Sequence, residues 1–309
     1  MPVTYHAGQI EVQAEANTRP VADKLAHWVG PITEFMEVAD LIVLATPSSD
    51  GSLRFTTLGG KAPLIEVVGG ATVALPVALP VAMPGDSVPV GGLAIALAQR
   101  RRARLNGELT VGDDKTFLEA DEAFTNCRKY VPPSEAIDGE MQIGPAKRAA
   151  VALTDAWVRD VLARAETCFL ASVNPAGMPD VSHRGGPPGF LALDAASATL
   201  TWPEYVGDGM LKSAGNVRTN GRITLLVVDL PTGEGIELTG RAIYETLMTR
   251  KQARTQGLER HNDPFPPQGR MTMQIEACER LSRLMPARRM IADVPKLNSS
   301  SALEEQEPQ

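Results

Sequence analysis

The sequence predicts a mainly β protein with flanking helices, laid out as two antiparallel sheets or barrels in tandem. Three observations carry that expectation. Short apolar runs bounded by turn residues recur along the chain, where a helical protein would show long 3.6-residue periods. The 24 prolines and 27 glycines among 309 residues punctuate it often. The order of these signals also occurs twice, at a spacing near 130 residues (Gly51 and Gly177 stand 126 apart). A doubly wound α/β fold would need helices between its strands, in crossovers of about a dozen residues or more, and these are missing.

The first copy opens with two amphipathic stretches, Val21–Val29 and Ile32–Ala39, separated by Gly30-Pro31. Leu41–Thr46 (LIVLAT) follows as a β-rich apolar run, then a turn at Ser48–Gly51, a polar strand and Gly59-Gly60. The apolar stretch Val73–Gln99 has Asp86 as its only charge, but Pro76, Pro80, Pro84 and Pro89 would break a spanning helix several times. Short buried strands joined by turns are expected there, the last being Leu93–Ala98, followed by a strand ending in Arg104–Gly107. The second copy opens with a helix whose apolar face holds Val151, Trp157, Val158, Val161 and Leu162, capped by Thr154 or Asp155. Thr167–Val173 (TCFLASV), the turn Asn174–Gly177, Gly185-Gly186, Ile223–Val228 and Glu237–Gly240 repeat the earlier order. The expected division is a first unit over 1–135, a linker over 136–150, a second unit over 151–292 and a disordered tail over 293–309.

Composition narrows the function. A net charge of −7 argues against a nucleic-acid partner, because phosphate neutralisation supplies most of that affinity. Cys127, Cys168 and Cys278 lie far apart with no CxxC pair, which points to a reducing, cytoplasmic setting with neither a zinc site nor a disulfide framework. The N-terminal residues carry no secretory pattern, and no membrane partner is expected. No GxGxxG follows a strand and no GxxxxGK[ST] is present, so dinucleotide and P-loop sites are unsupported. His6, His27 and His261 fall outside metal-ligand spacing and read as surface or capping residues, and Trp28 and Trp157 read as helix-face core residues.

Two stretches carry donor chemistry. If Pro179–Phe190 (PDVSHRGGPPGF) begins as a strand, alternation puts Asp180, Ser182 and Arg184 on one face and Val181 and His183 on the other. Ser182 and His183 then diverge, which argues against a local catalytic triad. The polar face ends at Gly185-Gly186, where a backbone can approach a planar ligand closely; a solvated edge strand and turn is the alternative. In Trp202–Arg222, Lys212, Ser213 and Asn216 lie within one helical turn after Gly207 and Gly209, an arrangement suited to phosphate but also to an ordinary surface helix. The first copy's counterpart, Leu75–Val90, offers one hydroxyl, Ser87, and no cation, so the second copy should hold any phosphate. Trp202, beside Pro203-Glu204-Tyr205, is expected either at a ring pocket or in the core. The basic run Arg100–Arg104 reads as a solvated hairpin turn; its counterpart Asp229–Gly235 is acidic, against a shared nucleic-acid role.

With those residues in view, the second half resembles the pyridoxamine 5′-phosphate oxidase-like, FMN-binding split-barrel family. The resemblance rests on Phe169–Phe190, on Tyr205–Asp229 and on the strand ending at Leu238–Ala242, and more weakly on Tyr5–Gln13, Arg102–Leu109 and Ala123–Val131 in the first half. It implies two tandem split β-barrels of the FMN-binding type, forming an intrachain pseudo-dimer as a monomer or within a homodimer. It further implies that Ser182, Arg184 and Gly185 face the flavin ring or ribityl chain and that Lys212, Ser213 and Asn216 hold the phosphate, with Asp180, His183, Trp202 and Tyr205 as neighbours. The implied activity is FMN-dependent oxidoreduction of a small-molecule substrate, with a nicotinamide or deazaflavin electron partner. The alternatives are a non-catalytic flavin or haem carrier, or an interaction protein with an empty site. The sequence departs from the family at Asn220-Gly221-Arg222, where the family has Asn-Pro-Arg, and in the proline-rich first copy.

Overall fold

The computed structural model describes residues 3–26, 35–36, 38–69, 71–247 and 265–292. His27, Trp28 and His261, parts of the two leading helical stretches and the 293–309 tail lie outside the described residues.

The first half carries helices α1 (Ala7–Glu15) and α2 (Arg19–Ala26) and strands β1 (Leu41–Pro47), β2 (Leu53–Gly59), β3 (Glu66–Gly69), β4 (Thr72–Leu75), β5 (Ser87–Ala96), β6 (Arg101–Val111) and β7 (Thr116–Thr125). Between the halves run β8 (Ser134–Ala136), β9 (Gln142–Gly144) and β10 (Lys147–Ala150). The second half carries α3 (Ala156–Arg164), β11 (Thr167–Val173), β12 (Pro179–Gly185), β13 (Ala192–Asp194), β14 (Thr199–Tyr205), α4 (Lys212–Thr219), β15 (Arg222–Asp229), β16 (Glu234–Thr246), β17 (Pro267–Ser282) and β18 (Arg288–Met290).

The duplication is visible in the pairing. The first sheet runs β3-β4-β7-β6-β5-β1-β2 and the second β13-β14-β17-β16-β15-β11-β12, the same order of equivalent strands. Even the irregularities recur: the β6–β7 ladder shifts register between Asn106 and Gly107, and the β16–β17 ladder between Thr239 and Gly240. Gly51 (φ 77°) and Gly177 (φ 84°) supply the left-handed residue of equivalent hairpins. In these turns Asp50 accepts from Ser52 N at 2.9 Å, and Asn174 accepts from Ala176 N at 2.9 Å.

Period-two alternation sorts each apolar run between two cores. Ile42 and Leu44 of β1 point into the first barrel, and Cys168 and Leu170 of β11 into the second. Their neighbours Leu41, Val43, Phe169 and Ala171 join Phe55, Ile95, Val181, Leu226 and Leu284 in a third core between the barrels. With both faces buried, these strands read as continuous apolar runs, unlike half-exposed strands.

Local details differ from expectation. Asp155 caps α3, accepting from Trp157 N at 2.8 Å, and Val151 lies ahead of the helix. Helix α1, which the periodicity did not suggest, is present and packs on α4. The connecting residues are tied into both sheets, β9 pairing with β2 and β10 with β17. No helix among the described residues is long and apolar enough to cross a membrane.

Candidate functional site

Strand β12 lies where the barrels meet, and its alternation is as the sequence predicts. Val181 enters the core between the barrels, and His183 stands edge-on to Phe169 with ring centroids 5.7 Å apart. On the other face, Asp180, Ser182 and Arg184 each find a polar partner. Arg104 NH1 donates to both Asp180 oxygens at 3.0 Å, and Asn106 Nδ2 donates to Oδ1 at 2.8 Å. Ser182 Oγ bonds Ser213 Oγ. Arg184 Nε donates to Glu204 Oε1 at 2.7 Å, and Trp202 Nε1 donates to the same oxygen at 2.9 Å.

Helix α4 brings the second set of donors. The turn before it is shaped by Asp208, which accepts from Met210 N at 3.0 Å, and by Leu211, a non-glycine residue in the left-handed region at φ 49°. That residue turns the chain so that Lys212 and Ser213 open the helix against β12. Lys212 Nζ reaches across to the first barrel, 2.7 and 2.6 Å from the two oxygens of Glu122 on β7. Asn216 is committed inward: its Oδ1 lies 2.8 Å from His6 Nε2 and accepts from Gln9 Nε2 at 3.0 Å, while its Nδ2 donates to Ser172 Oγ at 2.9 Å. The contact is close because position 215 is glycine; a Cβ there would lie 2.4 Å from Gln9 Cα on α1.

These groups border two adjoining cavities. One, of about 90 Å³, is lined by Arg102, Arg104, Cys127, Tyr130, His183, Arg184, Gly185, Tyr205, Lys212 and Ser213, among others. The second, of about 350 Å³, is lined by Tyr5, His6, Asn106, Glu122, Asp180, Lys212 and Asn216, among others. Lys212 lines both, and Arg104 and Asp180 face opposite sides, so the ion pairs Lys212–Glu122 and Arg104–Asp180 form the wall between them. Tyr130, Tyr205 and Phe265 make an aromatic cluster beside the smaller cavity, with ring centroids 5.3–5.6 Å apart.

The electrostatics favour an anion. Burial opposes ionisation of Asp180, but the Arg104 and Lys212 charges and the bonds from Asn106 and Arg104 outweigh it and hold the carboxyl below its usual range. Burial, with Arg102 and Arg184 nearby, pushes His183 well below the usual imidazole range. His183 is therefore neutral: Nδ1 accepts from Arg102 NH1, which leaves Nε2–H to donate to Thr167 Oγ1. Arg102 is 8% exposed and bonds only this ring nitrogen and Cys127 Sγ, at 3.6 Å, and no carboxylate among the described residues pairs with it. Asp208, on the same cavity, is the carboxylate whose charge acts on it without a direct bond, and a buried guanidinium facing a cavity with no carboxylate bonded to it is suited to an anion.

Residues 154–272 match the family model described as pyridoxamine 5′-phosphate oxidase. Over that stretch the second barrel is similar to the pyridoxamine 5′-phosphate oxidase family. Similar solved structures each cover well under half of this chain. HupZ of Group A Streptococcus is 21% identical, covering 43% of this chain and 98% of its own, with a TM-score of 0.30. General Stress Protein 26 from Bacillus anthracis is 13% identical, covering 43% and 95%, with a TM-score of 0.28. An F420 reductase is 16% identical, covering 39% and 94%, with a TM-score of 0.29. A search of curated proteins gives no match.

In this pyridoxamine 5′-phosphate oxidase-like barrel, His183, Arg184, Gly185, Tyr205, Lys212 and Ser213 come together on the smaller cavity, with Ser182 directly beneath Ser213. Asp180 and Asn216 face the larger one. Trp202 does not reach either cavity; it is fully buried in the barrel core and orients Glu204. Gly185 has a different cause from the one expected. A Cβ there would lie 1.8 Å from Tyr130 O, so the close approach it permits is by the first barrel's own backbone.

The larger correction concerns the first barrel. Arg102 and Arg104 are not in a solvated turn; both are buried on β6 and face the cleft. Cations therefore come from both copies, although Leu75–Val90 supplies none. The available signal was the period-two spacing of Arg102, Arg104 and Asn106 directly after an apolar strand. Glu122 had no such signal, since it meets Lys212 across 90 residues of sequence.

Proposed function

We propose that the cleft binds FMN and that the protein is an FMN-dependent oxidoreductase acting on a small-molecule substrate in a reducing, cytoplasmic setting. The observation that carries this reading is the convergence of Arg102, Arg104, Arg184 and Lys212 from two barrels on one cleft, with no carboxylate among the described residues hydrogen-bonded to Arg102. The donor set fits a phosphorylated, planar ligand. Lys212 and Ser213 at the start of α4 would hold a phosphate, Arg184 and the buried Ser182 would support the polar edge of a ring, and Tyr130, Tyr205 and Phe265 offer apolar ring surface beside them. His183, held neutral, would fix Arg102 without adding charge. Bound flavin would supply hydride or electron transfer with a nicotinamide or deazaflavin partner; the chain's own groups bind and orient it and keep water out.

A second reading, an interaction protein whose cleft stays closed, is favoured by the size of the smaller cavity. About 90 Å³ is well below the roughly 300–1,000 Å³ usual for cofactor pockets. Absorption spectra of the purified protein, before and after FMN is added and then NADH, NADPH or reduced deazaflavin, separate the two. Flavin bands that bleach with one donor are the expected result. A colourless protein that takes up no FMN would favour the closed cleft, and a Soret band would favour a haem carrier.

A further inference from the structure

We propose that Glu122 is an internal competitor for the ligand's phosphate: a carboxylate lent by the first barrel that occupies Lys212 and must leave before a phosphomonoester can bind. The inference rests on the reading of the cleft as a flavin nucleotide site. Both Glu122 oxygens lie on Lys212 Nζ, at 2.7 and 2.6 Å, as two oxygens of a phosphate would. Asn106 Nδ2 holds the carboxylate in place from the neighbouring strand at 3.1 Å. The ammonium is nearly buried, its side chain 5% exposed, whereas Glu122 keeps 20% exposure and so has a path to solvent when displaced.

The placement belongs to the first barrel alone. The β6–β7 bulge sets Glu122 opposite Asn106. The equivalent bulge in the second barrel sets Ala277 opposite Thr239, where no carboxylate is available. The pair also stands in the wall between the two cavities, so a phosphate that takes the place of Glu122 would be within reach of the groups that line both. A phosphomonoester carries nearly two negative charges at neutral pH and a carboxylate one, so the exchange favours the phosphate while lowering its net gain. Riboflavin, without a phosphate, gains nothing from the exchange. Glu122 thus sets how strongly the site distinguishes FMN from riboflavin.

Titrating the wild type, Glu122→Gln, Glu122→Ala and the double variant Glu122→Gln/Lys212→Met with FMN and with riboflavin, followed by flavin fluorescence, tests this. Removing the carboxylate should raise FMN affinity about tenfold and leave riboflavin affinity unchanged, and the gain should vanish in the double variant. Glu122 variants that bind both flavins as the wild type does, or gain equally for both, would overturn the inference while leaving the cofactor reading standing. Absence of binding of either flavin to the wild type and to every variant would overturn the cofactor reading and the inference together.

Discussion

At one junction of the barrels Arg104 of β6 meets Asp180 of β12; at the junction related by the duplication, Glu237 of β16 meets Arg54 of β2. Strand equivalence and the shared bulges place these pairs at the same positions with their charges reversed. The surroundings differ as well. Beside Arg104 lie helix α4, Arg102 with its bonds to His183 and Cys127, and two cavities. Beside Glu237 lies Arg148 of β10, which donates to Glu237 Oε1 at 2.6 Å and to Phe55 O, so the connecting segment fills the space. Glu237 also accepts from Phe55 N at 3.0 Å. The comparison teaches that one junction is filled as a structural staple and the other keeps two cavities beside its ion pair. The first copy's lack of a helix between β4 and β5 is the backbone counterpart of that choice.

The largest expected effects come from breaking these pairs. Asp180→Ala leaves Arg104, 9% exposed, without its counter-ion and should cost about 3–5 kcal/mol in denaturant unfolding. Glu237→Ala should cost less, because Arg54 and Arg148 retain 32% and 26% exposure. Swapping the first pair, Arg104→Glu with Asp180→Arg, copies the charge order of the second junction and should be more stable than the sum of its single changes; strict additivity would mean that the pair has no coupling.

Next are the equivalent glycines Gly185 and Gly59. A Cβ at 185 would meet Tyr130 O at 1.8 Å, and one at 59 would meet Pro286 Cδ at 2.6 Å. Gly185→Ala should cost about 1–3 kcal/mol, and Gly59→Ala less, because a proline ring yields more easily than a backbone carbonyl. Equal losses of melting temperature would contradict that distinction.

The smallest effect separates the junctions by pH, since Thr57 stands at the position equivalent to His183. In the folded state the His183 imidazole resists protonation, while the unfolded chain takes up a proton near pH 6.5. The unfolded state therefore binds more protons as pH falls below about 6.5, and stability should drop by up to about 1.4 kcal/mol per pH unit until the folded imidazole also titrates. His183→Gln should flatten that slope between pH 6.5 and 5 whatever its effect at neutral pH. An unchanged slope would assign the acid sensitivity to other groups. Asp180 acts in a separate, lower window, its contribution being present above about pH 3.9 and lost as pH falls through its depressed folded value.

The strands and their duplication were legible in the sequence because the physics that forms them is local. LIVLAT and TCFLASV are apolar on both faces because each face meets a core, and equivalent turns need a residue at positive φ. Within the site, β12 was legible through its alternation, and the start of α4 through Lys212 and Ser213. The first barrel's contribution was not. A run of arginines normally marks solvent, and only the packing of β6 against β12 of the other sheet covers Arg102 and Arg104. Helix α1 was missed for a related reason: its buried face includes Gly8, Gln9 and Gln13, polar or small residues, with Gln9 bonded to Asn216 of α4 and Gln13 to Met210 O in the turn before it. Such groups look like surface until the partner helix is known.

The central proposal is that a single flavin nucleotide binds each chain, at the junction of Arg104 and Asp180. Equilibrium titration with FMN, counting equivalents bound by the wild type, Lys212→Met and Arg148→Ala, tests it most directly. The account predicts one equivalent per chain, lost or strongly weakened in Lys212→Met and retained in Arg148→Ala. Two equivalents, or one that survives Lys212→Met and disappears in Arg148→Ala, would contradict it.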